Sequence, residues 1–249
     1  MLSGIMAADM ESQKVKVTKV FLSILLLNSL AYGLDISDDT ALAELKSKLE
    51  KQPEGIKSEL LRKGNQTIEI KNYVAIDGSL SSAKSILKNF GQYSNWALEG
   101  INQSPRGGNY FMRLLDVVWK KTEPEIVGIQ FLFNFPLLKH TGIRKFKVTH
   151  REDQSTFEIK ANNVEQADPF VKSCEGIVKI FPTPQKKDKL WVYIHGKAVL
   201  QWALYEVLPE RVVTKEIGER VHTVLLNYQK KEEALPVNPS PPPQKPSKS

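Results

Sequence analysis

From residue 66 to 202 the chain reads as β-rich runs broken by Pro, Gly, Asn or charged turns, and one amphipathic helix follows, reaching about residue 229. That order constrains the fold more than any other feature. Short spacings between strands favour antiparallel meander pairing, because parallel neighbours need crossovers of roughly a dozen residues. A curved antiparallel sheet with the last helix across its concave face leaves an apolar interior, which side chains fill or a hydrophobic ligand occupies. The expected class is α+β.

The first strand spans Gln66 to Ile76, with Ile68, Ile70, Val74 and Ile76 on one face and Thr67, Glu69 and Lys71 on the other. Asp77-Gly78-Ser79 turns it. Ser79 or Ser81 then caps a helix carrying Leu80, Ala83, Ile86, Leu87 and Phe90 at helical spacing, and a second short helix carries Tyr93, Trp96 and Ala97. Further strands are expected at Tyr110–Lys120, Glu125–Phe135, Ile143–His150, Thr156–Ala161, Glu175–Phe181 and Leu190–Trp202. After Leu208-Pro209 the last helix gathers Val213, Ile217, Val221, Val224, Leu225 and Tyr228 on one face, with Glu210, Lys215, Glu219 and Arg220 elsewhere.

The ends differ in composition. Lys14, Lys16 and Lys19 precede an apolar run from Val20 to Leu27 and the small-residue pattern Ala31-Tyr32-Gly33, which reads as a signal peptide over 1–33 cleaved after Gly33. The run is too short to cross a hydrocarbon core, which needs about 20 residues. A periplasmic or secreted protein is the expectation. Residues 34–65 form a charged helical segment in which Asp38 or Asp39 caps a helix bearing Ala41, Leu42, Leu45 and Leu49, and a second short helix runs through Ile56, Leu60 and Leu61. Residues 231–249 are a Pro-rich, polyproline-like tail that cannot bury enough apolar surface to fold.

Residues 66–230 resemble the START-like superfamily, also known as SRPBCC, the helix-grip or polyketide cyclase and lipid-transport group. The resemblance rests on the alternating first strand, the run Leu87-Lys88-Asn89-Phe90-Gly91-Gln92-Tyr93-Ser94-Asn95-Trp96, and the Leu208-Pro209 entry into the last helix. It implies a helix-grip, with a curved antiparallel sheet wrapped around the long C-terminal helix and two short helices after the first strand. Two stretches depart from the pattern: Asn162–Cys174 is long and polar for a hairpin, and Phe135-Pro136-Leu137-Leu138-Lys139-His140 interrupts the sheet.

Alternation nominates the ligand-facing residues. Val127, Ile129, Phe131, Phe133 and Phe135 share a face of one strand, and Leu190, Val192, Ile194, Gly196, Ala198 and Leu200 a face of another. With Trp96 of the helix pair and Ile217 and Val221 of the last helix they form the expected lining. In Tyr110–Lys120 one face holds Arg113 with Phe111, Leu115, Val117 and Trp119, and the other holds Asp116, so one charge turns inward unless a bulge intervenes. Arg113 is the preferred anchor for a ligand's polar end, since an inward charge needs a partner.

The four histidines, His140, His150, His195 and His222, sit in no zinc or nucleophile motif, and His195 points away from Ile194. No catalytic residue, metal site or cofactor is assigned. The lone Cys174 reads as a packing residue. The net charge of +7 is spread among Asp and Glu rather than clustered, which argues against nucleic acid and fits at most transient contact with an anionic membrane surface. The leading expectation is an exported binding protein for a lipid or other hydrophobic small molecule. A cyclase- or hydratase-like enzyme and a ligand-free envelope interaction module are the alternatives.

Overall fold

The computed structural model describes residues 34–50, 56–104, 110, 112–134, 139–164, 170–183 and 188–233. The signal-peptide reading, the tail from residue 234 on and Phe135 lie outside them; residues 231–233, read as the start of the tail, belong instead to the last helix. Helix α1 (Asp38–Leu49) leads into strands β1 (Ile56–Arg62) and β2 (Thr67–Asp77). Next come α2 (Leu80–Lys88), a 3-10 turn at Phe90–Gln92 and the short α3 (Tyr93–Trp96). Strands β3 (Met112–Lys120), β4 (Glu123–Asn134), β5 (Lys139–Glu152), β6 (Phe157–Asn163), β7 (Val171–Pro182) and β8 (Lys189–Leu200) follow, then α4 (Trp202–Val207) and α5 (Glu210–Glu233).

The eight strands form one antiparallel sheet in the order β1-β2-β8-β7-β6-β5-β4-β3. The meander expectation holds from β3 to β8, and β8 returns to pair with β2 over eleven register positions, Thr67↔Val199 to Asp77↔Lys189. The sheet curves round α5, giving the helix-grip architecture. Its two edges meet opposite sides of α5. Gly218 comes so close to β1 that an added Cβ would lie 3.2 Å from Ser58 Oγ, while Arg220 donates to the Met112 carbonyl on β3.

Residues 56–62 are not helical. The spacing of Ile56, Leu60 and Leu61 suits a helix, but it suits a strand as well, because Ile56, Ser58 and Leu60 alternate. Pairing with β2 from Ile56↔Val74 to Arg62↔Ile68 decided between them. The connecting turn sets Asn65 at φ 58° and Gln66 at φ 61°, the left-handed conformation that tight hairpin turns demand. The two short helices therefore follow the second strand of the sheet.

The helix termini obey local rules. Ser37, one residue earlier than expected, caps α1 by accepting from Thr40 N at 3.1 Å, with Asp38 and Asp39 in the first turn and Lys46 and Lys48 in the last. Ser79 caps α2. Gly78 adopts φ 141°, and the next residue's backbone nitrogen, Ser79 N, donates to Glu232 Oε1 at 3.1 Å, which ties the far end of α5 to the β2–α2 turn.

Two cores lie on opposite faces of the sheet. The inner one joins the even-numbered residues of β2, β7 and β8, the odd-numbered ones of β4 and β6, and the apolar faces of α2 and α5. Cys174 belongs to it, fully buried. The outer one is smaller: Ala41, Leu45 and Leu49 of α1 cover Tyr73, Phe181, Trp191 and Tyr193.

Candidate functional site

The inner face of the sheet under α5 is built by strand parity. Val127, Ile129, Phe131 and Phe133 of β4 and Val192 and Ile194 of β8 are all buried there, together with Trp96, Ile217 and Val221, in one continuous core. These nine nominated residues are thus brought together.

Arg113 is not among them: it is exposed. The register of β3 against β4 shifts between Leu114↔Phe131 and Asp116↔Gln130, so a bulge at Leu115 changes which parity faces inward. Met112 and Leu114 are buried before it and Val117 after it, and Trp119 packs against the inner core. Neither Arg113 nor Asp116 has to be buried. Asp116 instead accepts from its neighbour Val117 N at 3.0 Å.

The inner face nevertheless carries charge, at Arg144 and Arg220. On β5, Arg144 shares a face with Phe146 and Val148 and is 4% exposed; its guanidinium donates to Asn163 Oδ1 and to the Val171 carbonyl, each at 3.0 Å. Phe133, His140 and Phe170 form an aromatic group at the same end of the sheet, with ring centroids 5.1 Å apart along Phe133–Phe170 and His140–Phe170. The Arg144 parity is readable from the alternation of β5. Arg220, which spacing sets off the apolar face of the last helix, is buried instead, with its guanidinium at the Met112 carbonyl and over the Tyr110 ring.

Arg220 is 5% exposed and lies 4.4 Å over the Tyr110 ring, with Glu216 Oε2 at 4.0 Å. Burial pulls its guanidinium down to about 10, against the attraction of Glu216 and Tyr110, so it stays charged at neutral pH. Tyr110 is pushed up to about 12 by burial and by its hydrogen bond to Glu219 Oε2, 3.0 Å away. Arg220 Nε and Asn72 Nδ2 are among the buried donors on this side with no hydrogen-bond partner among the described residues. Asn72 lies on the inner parity of β2, fully buried, and its Oδ1 accepts from Ser58 Oγ at 2.6 Å.

The outer face handles charge differently. Lys179 on β7 is 2% exposed and donates to Asp38, with Glu158 Oε2 at 2.7 Å and Arg151 pairing with the same Asp38. These groups line a cleft of about 300 Å3 at the start of α1, together with Asp35 and Ser37. Along α1, Glu44 accepts from Lys71 and from Tyr73; these bonds hold its carboxyl below the usual range although burial acts the other way. His195 does point away from Ile194, but it is buried on this face rather than solvated, and burial pulls it down to about 4. Among the described residues no group of three or more His, Cys, Asp or Glu could hold a metal ion. No described helix is long and apolar enough to cross a membrane.

No family model matches the chain. No curated protein matches it either. Solved structures do. A START superfamily protein from Mycobacterium smegmatis aligns with a TM-score of 0.39 and 15% identity over 66% of this chain and 97% of its own. Human STARD10 gives 0.42 and 11% identity over 82% and 84%, and the Zhui aromatase/cyclase from Streptomyces sp. R1128 gives 0.40 and 11% over 67% and 94%. Likenesses this distant transfer no ligand and no activity.

Proposed function

We propose that the protein is an exported binding protein that holds a lipid or another hydrophobic molecule between the inner face of the sheet and α5. The observation that carries this reading is a set of buried donors without hydrogen-bond partners among the described residues, Arg220 Nε and Asn72 Nδ2 among them, on a largely apolar face whose other buried cation, Arg144, is matched. A buried donor left unmatched costs about 1–3 kcal/mol, and a ligand with a polar, oxygen-bearing end recovers that cost while its apolar body meets Val127, Ile129, Val192 and Ile194. An exposed corner carrying Trp202 (65%), Val207 (64%) and Val212 (46%) beside Arg211 and Lys215 is the surface assigned to transient membrane contact.

Native mass spectrometry of protein recovered from the exported fraction tests the reading, supported by titration with a fluorescent fatty-acid or sterol probe. A stoichiometric lipid-sized mass and saturable probe uptake are expected. Ligand-free protein that takes up neither probe overturns it.

A further inference from the structure

At Leu34 the backbone nitrogen donates a 2.7 Å hydrogen bond to Glu175 Oε2. Glu175 stands on the outer face of β7, 2% exposed, and burial raises its pKa despite the Leu34 bond and Lys197. Its Oε1 has no hydrogen-bond partner among the described residues, and Lys197 Nζ is 3.8 Å away. A carboxylate so placed is costly unless a cation meets it directly. Independently, the Ala31-Tyr32-Gly33 pattern sets a leader cleavage at the bond before Leu34. Hydrolysis there adds the elements of water across the peptide bond, leaving a carboxylate on Gly33 and an amine on Leu34 that takes up a proton at neutral pH.

We propose that Gly33–Leu34 is the processing site, and that the ammonium released on Leu34 ion-pairs with the buried Glu175 carboxylate, fastening the segment that leads into α1 onto the outer face. Processing then supplies the charge that the fold already has a seat for. The proposal rests on the export reading and is independent of which ligand is bound. The neighbouring charged and titratable groups are few. Lys197 of β8 is the register partner of Glu175 and also of Glu69 on β2, His195 is buried on the same face, and Lys160 of β6 pairs with Asp35 at 3.3 Å. None of them approaches Glu175 as closely as the Leu34 nitrogen does.

The test begins with N-terminal sequencing of the exported protein and continues with the rate at which its α-amino group reacts with acetic anhydride as pH is varied. Leu34 is expected first, with an amine titrating above about 9, against about 7.7–8.0 for an ordinary α-amino group. In Glu175→Gln that titration should return to the ordinary range or below it. A form retaining Gly33 as its first residue moves the ammonium off the seat; it should titrate ordinarily and melt lower, and it decides the matter if Glu175→Gln fails to accumulate. A first residue other than Leu34 overturns the processing site, and full-length chain found only in the membrane fraction overturns the export reading with it. Leu34 first but with an ordinary amine overturns the ion pair and leaves export and ligand binding standing.

Discussion

The two faces of the sheet meet most of their buried charge with different kinds of partner. Beneath α1, cations and carboxylates meet directly: Lys179 with Asp38 and Glu158, and Lys71 with Glu44. Beneath α5, Arg220 has Glu216 only at 4.0 Å, with an aromatic ring under its guanidinium, and keeps an unmatched Nε; Asn72 keeps an unmatched Nδ2. The outer face meets most of its charge with opposite charge, Glu175 Oε1 and His195 Nε2 being exceptions among the described residues. Under α5 the unmatched groups include the donors toward which the ligand's polar end is proposed to turn. The difference separates the structural side of the sheet from the side assigned to a ligand.

The comparison breaks first at Lys179. Lys179→Ala leaves Glu158 buried against one fewer cation and should destabilise by about 3–5 kcal/mol in denaturant melts, while Arg220→Met should cost far less in the ligand-free protein yet weaken probe binding. Equal losses at both sites would erase the distinction. Leu45→Ala, in a fully buried position of α1, should cost about 2–5 kcal/mol. Probe affinity should not change, and a change would show that the outer face shapes the binding side.

Acid sharpens the contrast. His195 is held neutral by burial, with Lys71 adding to the effect and Glu69 and Glu44 opposing it. Its folded pKa of about 4 lies below the unfolded value of about 6.5, so the unfolded state binds the extra proton. Stability should fall as pH drops below about 6.5 and stop falling near 4, by up to about 3 kcal/mol, and His195→Gln should flatten that part of the curve. The smallest effect is expected at Arg113: Arg113→Ala, at an exposed position, should shift stability by under about 0.5 kcal/mol and leave probe binding alone. A loss at Arg113 comparable to one at Arg220 would place Arg113 on the inner face of β3.

Local pattern alone determined much of this protein. The period-2 runs of β2, β4 and β8, the 3.6-residue stripe of α5 and a serine cap at 79 or 81 all depend on neighbours within a few residues, so they were legible without a structure. The parity that buries Arg144 beside Phe146 was equally legible. Tertiary structure decided what local pattern leaves degenerate. Ile56–Arg62 carries spacing compatible with helix or strand, and only the free edge of β2 selected the strand. A bulge costs one residue and leaves no mark in composition, so which face of β3 turns inward awaited its register against β4. Burial of His195, Glu175 and Lys179 on the outer face depends on α1 and the segment before it lying over the sheet more than a hundred residues away in sequence. Strand periodicity says which side a residue is on, but not whether anything covers that side.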